Sequence, residues 1–157
     1  MLVQPTALPS SVASAIDTLD INAGTVLGDT RSVSASTKAA IDAGLAANGG
    51  FLPTGRLGGA NRYETARLIA DYGLDAAWID LDTMGVAIGT KFPDALAAGA
   101  ALGYYGSPVL LTGGASLSEA TNTFLSEHRY ETGRLDVFGD STSVSDPVMS
   151  AIVSRIE

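Results

Sequence analysis

Cysteine is absent from this 157-residue chain, and histidine and tryptophan occur once each. Without cysteine there is no disulfide framework, no thiolate nucleophile and no Cys-type zinc site. The lone histidine, His128, is the one place for an imidazole base, and no Gly-x-Ser-x-Gly elbow is present to supply its nucleophile. It is expected in the last turn of a helix, where a positive charge meets the negative dipole end. Basic residues are scarce as well: 9 Lys and Arg stand against 17 Asp and Glu, a formal net charge of −8. A surplus of that sign opposes binding to nucleic acid and to anionic membranes. No apolar run approaches the roughly 20 residues that span a bilayer. The opening Met1-Leu2-Val3-Gln4-Pro5 lacks the basic and apolar regions of a signal peptide, so any export signal is expected outside this sequence.

What is present is a globular composition, 46% hydrophobic and 17% charged, suited to one medium α/β domain or one and a half small ones. Within it the chain repeats itself. Val26-Leu27-Gly28-Asp29-Thr30-Arg31-Ser32-Val33-Ser34 returns as Val137-Phe138-Gly139-Asp140-Ser141-Thr142-Ser143-Val144-Ser145, an offset of 111 residues. Ala40-Ile41 and Ala151-Ile152 keep the same offset. Upstream, Leu2 to Val12 parallels Val109 to Ser118, whereas the stretch from about Pro53 to Ser107 has no counterpart. The expected organisation is therefore residues 1–52 as the second half of a preceding repeat and residues 53–157 as one complete repeat.

Short apolar runs alternate with segments of helical period. Strands are expected at Leu2–Gln4, Thr25–Leu27, Met84–Ile88, Val109–Leu111 and Leu135–Phe138. Helices are expected over Ser10–Leu19 (Val12, Ala15, Ile16 and Leu19 inward), after the cap Ser34 (Thr37, Ala40, Ile41 and Leu45 inward), and after Asn61. Asn61 and Glu64 have capping-box spacing, with Ala66, Ile69 and Ala70 facing inward. Pro93 and Asp94 suit the first turn of a helix whose body, Ala95 to Leu102, is small and apolar all round; such a helix is buried on several sides or packed on another subunit. Leu117–Glu127 and Ser145–Ile156 complete the set. Alternation of this kind implies an α/β fold with a parallel sheet covered by helices and right-handed crossovers.

Two phrases, Arg56-Leu57-Gly58-Gly59-Ala60-Asn61-Arg62-Tyr63-Glu64-Thr65-Ala66 and Ala87-Ile88-Gly89-Thr90-Lys91-Phe92-Pro93-Asp94-Ala95-Leu96, followed by the Gly-Asp turn and Ser-Val-Ser, resemble the type 2 cell-wall-binding repeat (CWB2). The resemblance covers a full repeat and the back half of another. It implies a Rossmann-like or toprim-like fold built from tandem repeats that pack in threes, and a surface protein of Gram-positive bacteria held non-covalently to an anionic wall polymer. It implies no catalysis and no cofactor. Further repeats or a homo-oligomer, a trimer in particular, would complete the set of three. The chain departs from the family where Gly28-Asp29 and Gly139-Asp140 stand in place of a Gly-Gly pair.

Ligands of open α/β sheets sit beyond the carboxyl ends of the strands, here loops 58–62, 89–93, 112–116 and 139–145. Arg62 and Lys91 on those loops are expected to meet phosphate or carboxylate groups, with Arg56, Asp94 and Asp140 completing the candidate ligand set. The competing expectation is that Arg62 pairs with Glu64 or Asp94 and only fastens two loops. The Gly-Asp pairs suit turn capping better than a calcium site, which needs six or more oxygens, so no metal is assigned. Asp80-Leu81-Asp82 resembles the acidic pair of a toprim hydrolase but precedes its strand and lacks a basic surface. Thr112-Gly113-Gly114-Ala115-Ser116 reads as a tight turn with Ser116 as helix cap. Tyr63, Tyr72, Trp78, Tyr104 and Tyr105 are candidate sugar-stacking rings, although tyrosine more often packs. A wall-anchoring module is the first reading; a self-assembly domain of a surface protein is the second.

Overall fold

The computed structural model describes residues 1–50 and 54–157. Two compact units divide the chain, Met1–Ala60 and Asn61–Glu157. The expected boundary between residues 52 and 53 falls outside the described residues.

The second unit contains α3 (Arg62–Asp75), β3 (Thr83–Ile88), α4 (Phe92–Gly103), β4 (Val109–Thr112), α5 (Glu119–Glu127), β5 (Arg134–Phe138) and α6 (Asp146–Ile156). Its sheet is parallel, in the order β4-β3-β5. β3 pairs with β4 from Gly85–Val109 to Ile88–Thr112 and with β5 from Thr83–Arg134 to Ala87–Phe138. β3 is paired along both edges and lies under packed helices, and Met84 through Ile88 are all buried, as a continuous apolar run requires. Phe124 and Leu125 of α5 and Val148 and Ile152 of α6 pack with Met84, Val86 and Leu110 in one core. Among the described residues no helix is long and apolar enough to cross a membrane.

The first unit contains α1 (Ser10–Thr18), β1 (Thr25–Leu27), α2 (Ala35–Ala47) and β2 (Gly55–Leu57). β1 and β2 pair in parallel from Thr25–Gly55 to Leu27–Leu57. Ser34 caps α2, its Oγ accepting from the Thr37 N–H at 3.1 Å. Gly49, at φ +77°, closes the helix, and the Gly50 N–H reaches the Leu45 carbonyl.

Several expectations change. Leu2–Gln4 is not a strand; Gln4 makes only an isolated bridge to Ala7. Its counterpart β4 exists by pairing with β3, and among the described residues the first unit holds no equivalent of β3. The apolar side chains that would close over such a strand instead line an open pocket of about 560 Å³, with Val12, Ile16, Val26, Ile41 and Leu45 in its wall. In α1 only Ile16 is fully buried, and Leu19 is 66% exposed. Ala40 of α2 and Ile69 of α3 also reach solvent. β2, a Gly-Arg-Leu triplet without apolar alternation, has no counterpart among the expected strands. The helix after β4 is capped by Ser118, not Ser116: Ser118 Oγ accepts from Thr121 N–H at 3.3 Å. Glu64 turns to Arg67 (3.0 Å) while Asn61 Oδ1 accepts from both Tyr63 and Glu64 N–H groups, so the asparagine half of the capping box carries the helix start.

α4 buries only Ala98 and Leu102. Phe92 is 78% and Leu96 70% exposed. Its all-apolar composition therefore leaves one face on the sheet and one outside. Truncation at the two faces should differ sharply. Phe124→Ala, which empties a fully buried position, is expected to cost about 3–5 kcal/mol in urea unfolding, and Leu96→Ala to stay within about 0.5 kcal/mol.

Candidate functional site

In the second unit, α4, α5 and α6 each begin just past the carboxyl end of a strand, so their N-terminal turns and the preceding loops share one rim. Hydrogen bonds tie the loops together. The N–H of Gly89, just past β3, donates to Thr112 of β4 at 2.8 Å, and the Ser145 N–H, before α6, donates to the Gly114 carbonyl at 3.2 Å. Arg62, at the start of α3, donates from Nη1 to the Gly89 carbonyl at 2.6 Å. Gly89 has no room for a side chain: a β-carbon there would lie 2.5 Å from the Tyr63 ring. Arg62 therefore fastens the loop, as the structural expectation had it, but its acceptor is a backbone carbonyl and not the expected Glu64 or Asp94. A guanidinium carries five N–H donors, and this exposed side chain spends one on Gly89.

Lys91 is the exposed N-cap residue of α4, with no side-chain cap bond and no ion pair among the described residues. Asp94 sits in the first turn of that helix. It approaches the β5 turn closely, since a β-carbon on Gly139 would lie 3.0 Å from Asp94 Oδ2. Asp140 follows Gly139, and its Oδ1 accepts from the N–H groups of Thr142 (3.0 Å) and Ser143 (2.9 Å) and from the Thr142 hydroxyl (2.7 Å). These contacts, the Thr142 hydroxyl foremost, hold its carboxyl below the ordinary carboxylate value. Arg62, Lys91, Asp94 and Asp140 thus belong to one rim.

Arg56 belongs to the first unit. Its Nη1 donates to the carbonyls of Gly28 (2.6 Å) and Asp29 (2.9 Å), and its Nη2 to Val33 (2.8 Å). The guanidinium closes the turn after β1. That turn reproduces the one after β5: Asp29 Oδ1 accepts from Arg31 N–H (3.1 Å) and Ser32 N–H (2.9 Å), and both turns start at a left-handed glycine, Gly28 at φ +108° and Gly139 at +122°. A side chain at either φ is strained. Asp29 also takes a charged bond from Arg31 Nε, the main reason its carboxyl falls from 3.8 to about 2.

A polar groove of about 300 Å³ between α3 and α5 was not anticipated from the sequence; Tyr63, Arg67, Glu119, Thr123 and Glu127 line it. Arg67 is held there by Glu64 at 3.0 Å and Asp71 at 2.8 Å. The i, i+3 and i+4 spacing of those three residues was the available signal. His128 is the C-cap of α5, stacked on Phe124 at 4.5 Å with Nδ1 3.0 Å from Glu131. Asp80 caps its own turn by accepting from Asp82 N–H at 3.0 Å. Tyr104 and Tyr105, 86% and 65% exposed, meet edge to face at 5.2 Å, and Tyr72 meets Trp78 at 5.4 Å.

Parallel crossovers, a duplicated strand-turn-helix and a loop rim at the strand carboxyl ends define a repeat-built α/β module. Over residues 56–149 the chain matches the family Cell wall binding domain 2 (CWB2). It belongs to that family, and cell-wall binding is the function the membership indicates. Among solved structures it is similar to Cwp6 from Clostridium difficile (TM-score 0.82, 23% identity, 98% of this chain and 23% of that one) and to Cwp8 from Clostridium difficile (TM-score 0.74, 24% identity, 99% and 24%). At such identities the likeness speaks to the α/β fold, and the chain spans about a quarter of each of those proteins. No curated protein matches it.

The Asp29 turn predicts a pH dependence. Its folded value, about 2, lies below the ordinary 3.8, so its stabilisation is complete above about pH 4 and is lost as the pH falls through 2. Asp29→Asn keeps an oxygen acceptor but removes the charge. It is expected to flatten the acid limb of a stability-versus-pH curve in that window, measured by urea unfolding, and to leave the curve above pH 5 parallel to wild type.

Proposed function

We propose that this chain is a non-catalytic adhesion module that holds a surface protein to an anionic polymer of the cell wall, outside the cell. The family match over residues 56–149 carries the reading. On the rim of the second unit, the exposed Lys91 and the remaining donors of Arg62 are the proposed contacts for phosphate or carboxylate groups, with the N-terminal turns of α4, α5 and α6 adding backbone N–H donors. Asp94 and Asp140 shape the rim, and Arg56 contributes by clamping its own turn. Residues 1–52 and 53–157 are read as a partial and a complete repeat, each supplying weak contacts that gain strength when several act together.

Co-sedimentation with purified Gram-positive wall tests this. Bound protein should fall as salt rises and on wall stripped of its anionic polymers. Lys91→Ala is expected to weaken binding about tenfold, the equivalent of roughly 1.4 kcal/mol for one charged contact, with the melting temperature unchanged. Arg62→Ala should weaken binding and lower the melting temperature, because it also releases the Gly89 carbonyl. Wild-type protein that stays in the supernatant sinks the proposal.

One observation favours a second reading, self-assembly of the surface protein. The outer face of α4 presents Phe92 and Leu96, and Tyr104 follows the helix, all well exposed. Light scattering that reports a trimer dissociated by Leu96→Glu would support that reading.

A further inference from the structure

All but one of the tyrosine and tryptophan side chains gather at one end of the second unit. The chain has 5 tyrosines and 1 tryptophan. Tyr63 lies beside the rim, its ring against Gly89. The others lie at the amino ends of the strands, opposite that rim. Tyr72 falls in the last turn of α3, Trp78 in the loop entering β3, Tyr104 and Tyr105 between α4 and β4, and Tyr130 in the loop entering β5. Because the sheet order is β4-β3-β5, these loops are neighbours. Backbone bonds join them: Asp80 N–H donates to the Gly106 carbonyl at 3.1 Å, and Gly133 N–H to the Leu81 carbonyl at 3.2 Å.

Tyrosine and tryptophan ordinarily bury the ring and keep only a polar tip wet. Here Tyr72 is 38% exposed and the other four range from 65% to 88%. The exposure of Trp78 is built into the backbone. Ala77 takes a left-handed φ of +54°, a strained value for a residue with a side chain. It ends α3 in a Schellman turn, in which Trp78 N–H donates to the Gly73 carbonyl and Ala77 N–H to the Leu74 carbonyl, each at 2.9 Å. Ile79 fills the space over Gly73, where a β-carbon would lie 2.9 Å from its Cδ1. The turn thus packs the isoleucine on the helix and leaves the tryptophan outside. Tyr72 props Trp78 at 80°, and Tyr104 and Tyr105 prop each other at 88°.

The charge at this end is opposite in sign to that of Arg62 and Lys91. Asp75, Asp80 and Asp82 are exposed, and Asp80 uses Oδ1 to accept from Asp82 N–H at 3.0 Å. Arg129 lies over the Tyr130 ring at 4.7 Å, and Arg134 is bonded to Asp136 at 2.9 Å. An anionic polymer or membrane meets repulsion from those carboxylates. A protein interface is disfavoured as well, because charged side chains are depleted from interface cores. Hydroxyl groups suit the site, since they donate to carboxylates. The C–H faces of a pyranose ring carry partial positive charge and settle on the negative face of an aromatic ring.

We infer that the amino end of this sheet is a second binding site, for uncharged glycan. Trp78 and Tyr105 stack on pyranose rings, and Asp80 and Asp82 accept from sugar hydroxyls. Equatorially linked chains fit best, because their C–H faces are unobstructed. Rings already propped against each other lose little freedom when a ligand arrives. The site stands at the far end of the strands from Arg62 and Lys91 and does not rest on the adhesion reading given to them.

Trp78 is the only tryptophan, so its emission reports on this site alone. The probe is chitohexaose, a neutral chain of equatorially linked N-acetylglucosamine. Titrated into the whole chain, it should shift Trp78 emission and saturate with a Kd of about 0.1–1 mM. Raising NaCl from about 0.05 to 0.5 M should change that Kd less than about twofold, because no ion pair is involved. Tyr105→Ala should weaken binding about tenfold, as for a lost stacking contact, at unchanged melting temperature. Lys91→Ala should bind as wild type does. Unchanged emission with chitohexaose overturns the proposal, as does binding that salt abolishes or that Tyr105→Ala leaves intact. An emission shift given by zwitterionic phospholipid vesicles and not by the sugar also overturns it, in favour of a lipid surface. A concentration-dependent dimer that buries Trp78 overturns it by assigning this end to a second copy. The probe carries no charge, so this proposal and the adhesion reading at the rim can fail separately.

Discussion

A parallel strand cannot be paired through a tight hairpin. It needs a crossover and a partner that lies many residues away. In the complete unit that constraint is met by β3, which pairs on both edges and buries every residue from Met84 to Ile88. β4 and β5 take their register from it, and α5 and α6 pack their apolar stripes over the same few side chains. The loops that carry Arg62, Lys91, Asp94 and Asp140 stand where they do because they continue, or are tied to, strands registered on β3.

Among its described residues the first unit is supplied with no such strand. Its residues equivalent to β4 therefore pair with nothing beyond an isolated bridge. Thr37 occupies the position of Val148, so even the helix that survives carries a hydroxyl where its counterpart is aliphatic; that hydroxyl donates to the Pro5 carbonyl at 3.1 Å. The polar bond replaces part of what a buried aliphatic contact supplies in the complete unit. The turn after β1 and the arginine across it add a local clamp to a small core of Ile16, Val26, Val33 and Leu45. The aspartate carboxylate there accepts from the turn's N–H groups and pairs with Arg31, which lowers its pKa.

The legibility of the chain divides along the same line. β3 could be read from its continuous apolar run, because burial on both faces leaves a composition signal; β4 and β5 also appear where expected to within a residue or two. Helix starts were legible where a side-chain oxygen caps them, as at Ser34 and Asn61. β2 was not, because nothing in Gly-Arg-Leu marks a strand until β1 pairs with it. Leu2–Gln4 failed in the opposite sense: the pattern is strand-like but the partner is missing. For α4, composition suggested burial on several sides or packing on another subunit, whereas the geometry shows one face, with Ala98 and Leu102, buried. Arg56 illustrates the limit for site residues. A basic residue beside a glycine-rich loop reads as a ligand contact, yet its acceptors lie 23 to 28 positions upstream and are backbone atoms, which no side-chain pattern reports.

A net charge of −8 and adhesion to an anionic polymer are compatible only if charge acts locally. The screening length at physiological ionic strength is about 8 Å, so on the proposed reading a polymer phosphate at the rim would respond to Lys91 and Arg62 more than to acidic residues on distant helices. Nearby carboxylates are the relevant opposition. Asp140 is hydrogen-bonded into its turn, which holds its carboxyl below the ordinary value, and Asp94 lies against the same turn. On the proposed reading, strength would come from several rims on one polymer chain, where modest contacts act together. With repeats bounded at residues 52 and 53 as proposed, the bonds from Arg56 to the Gly28, Asp29 and Val33 carbonyls would tie one repeat to the next.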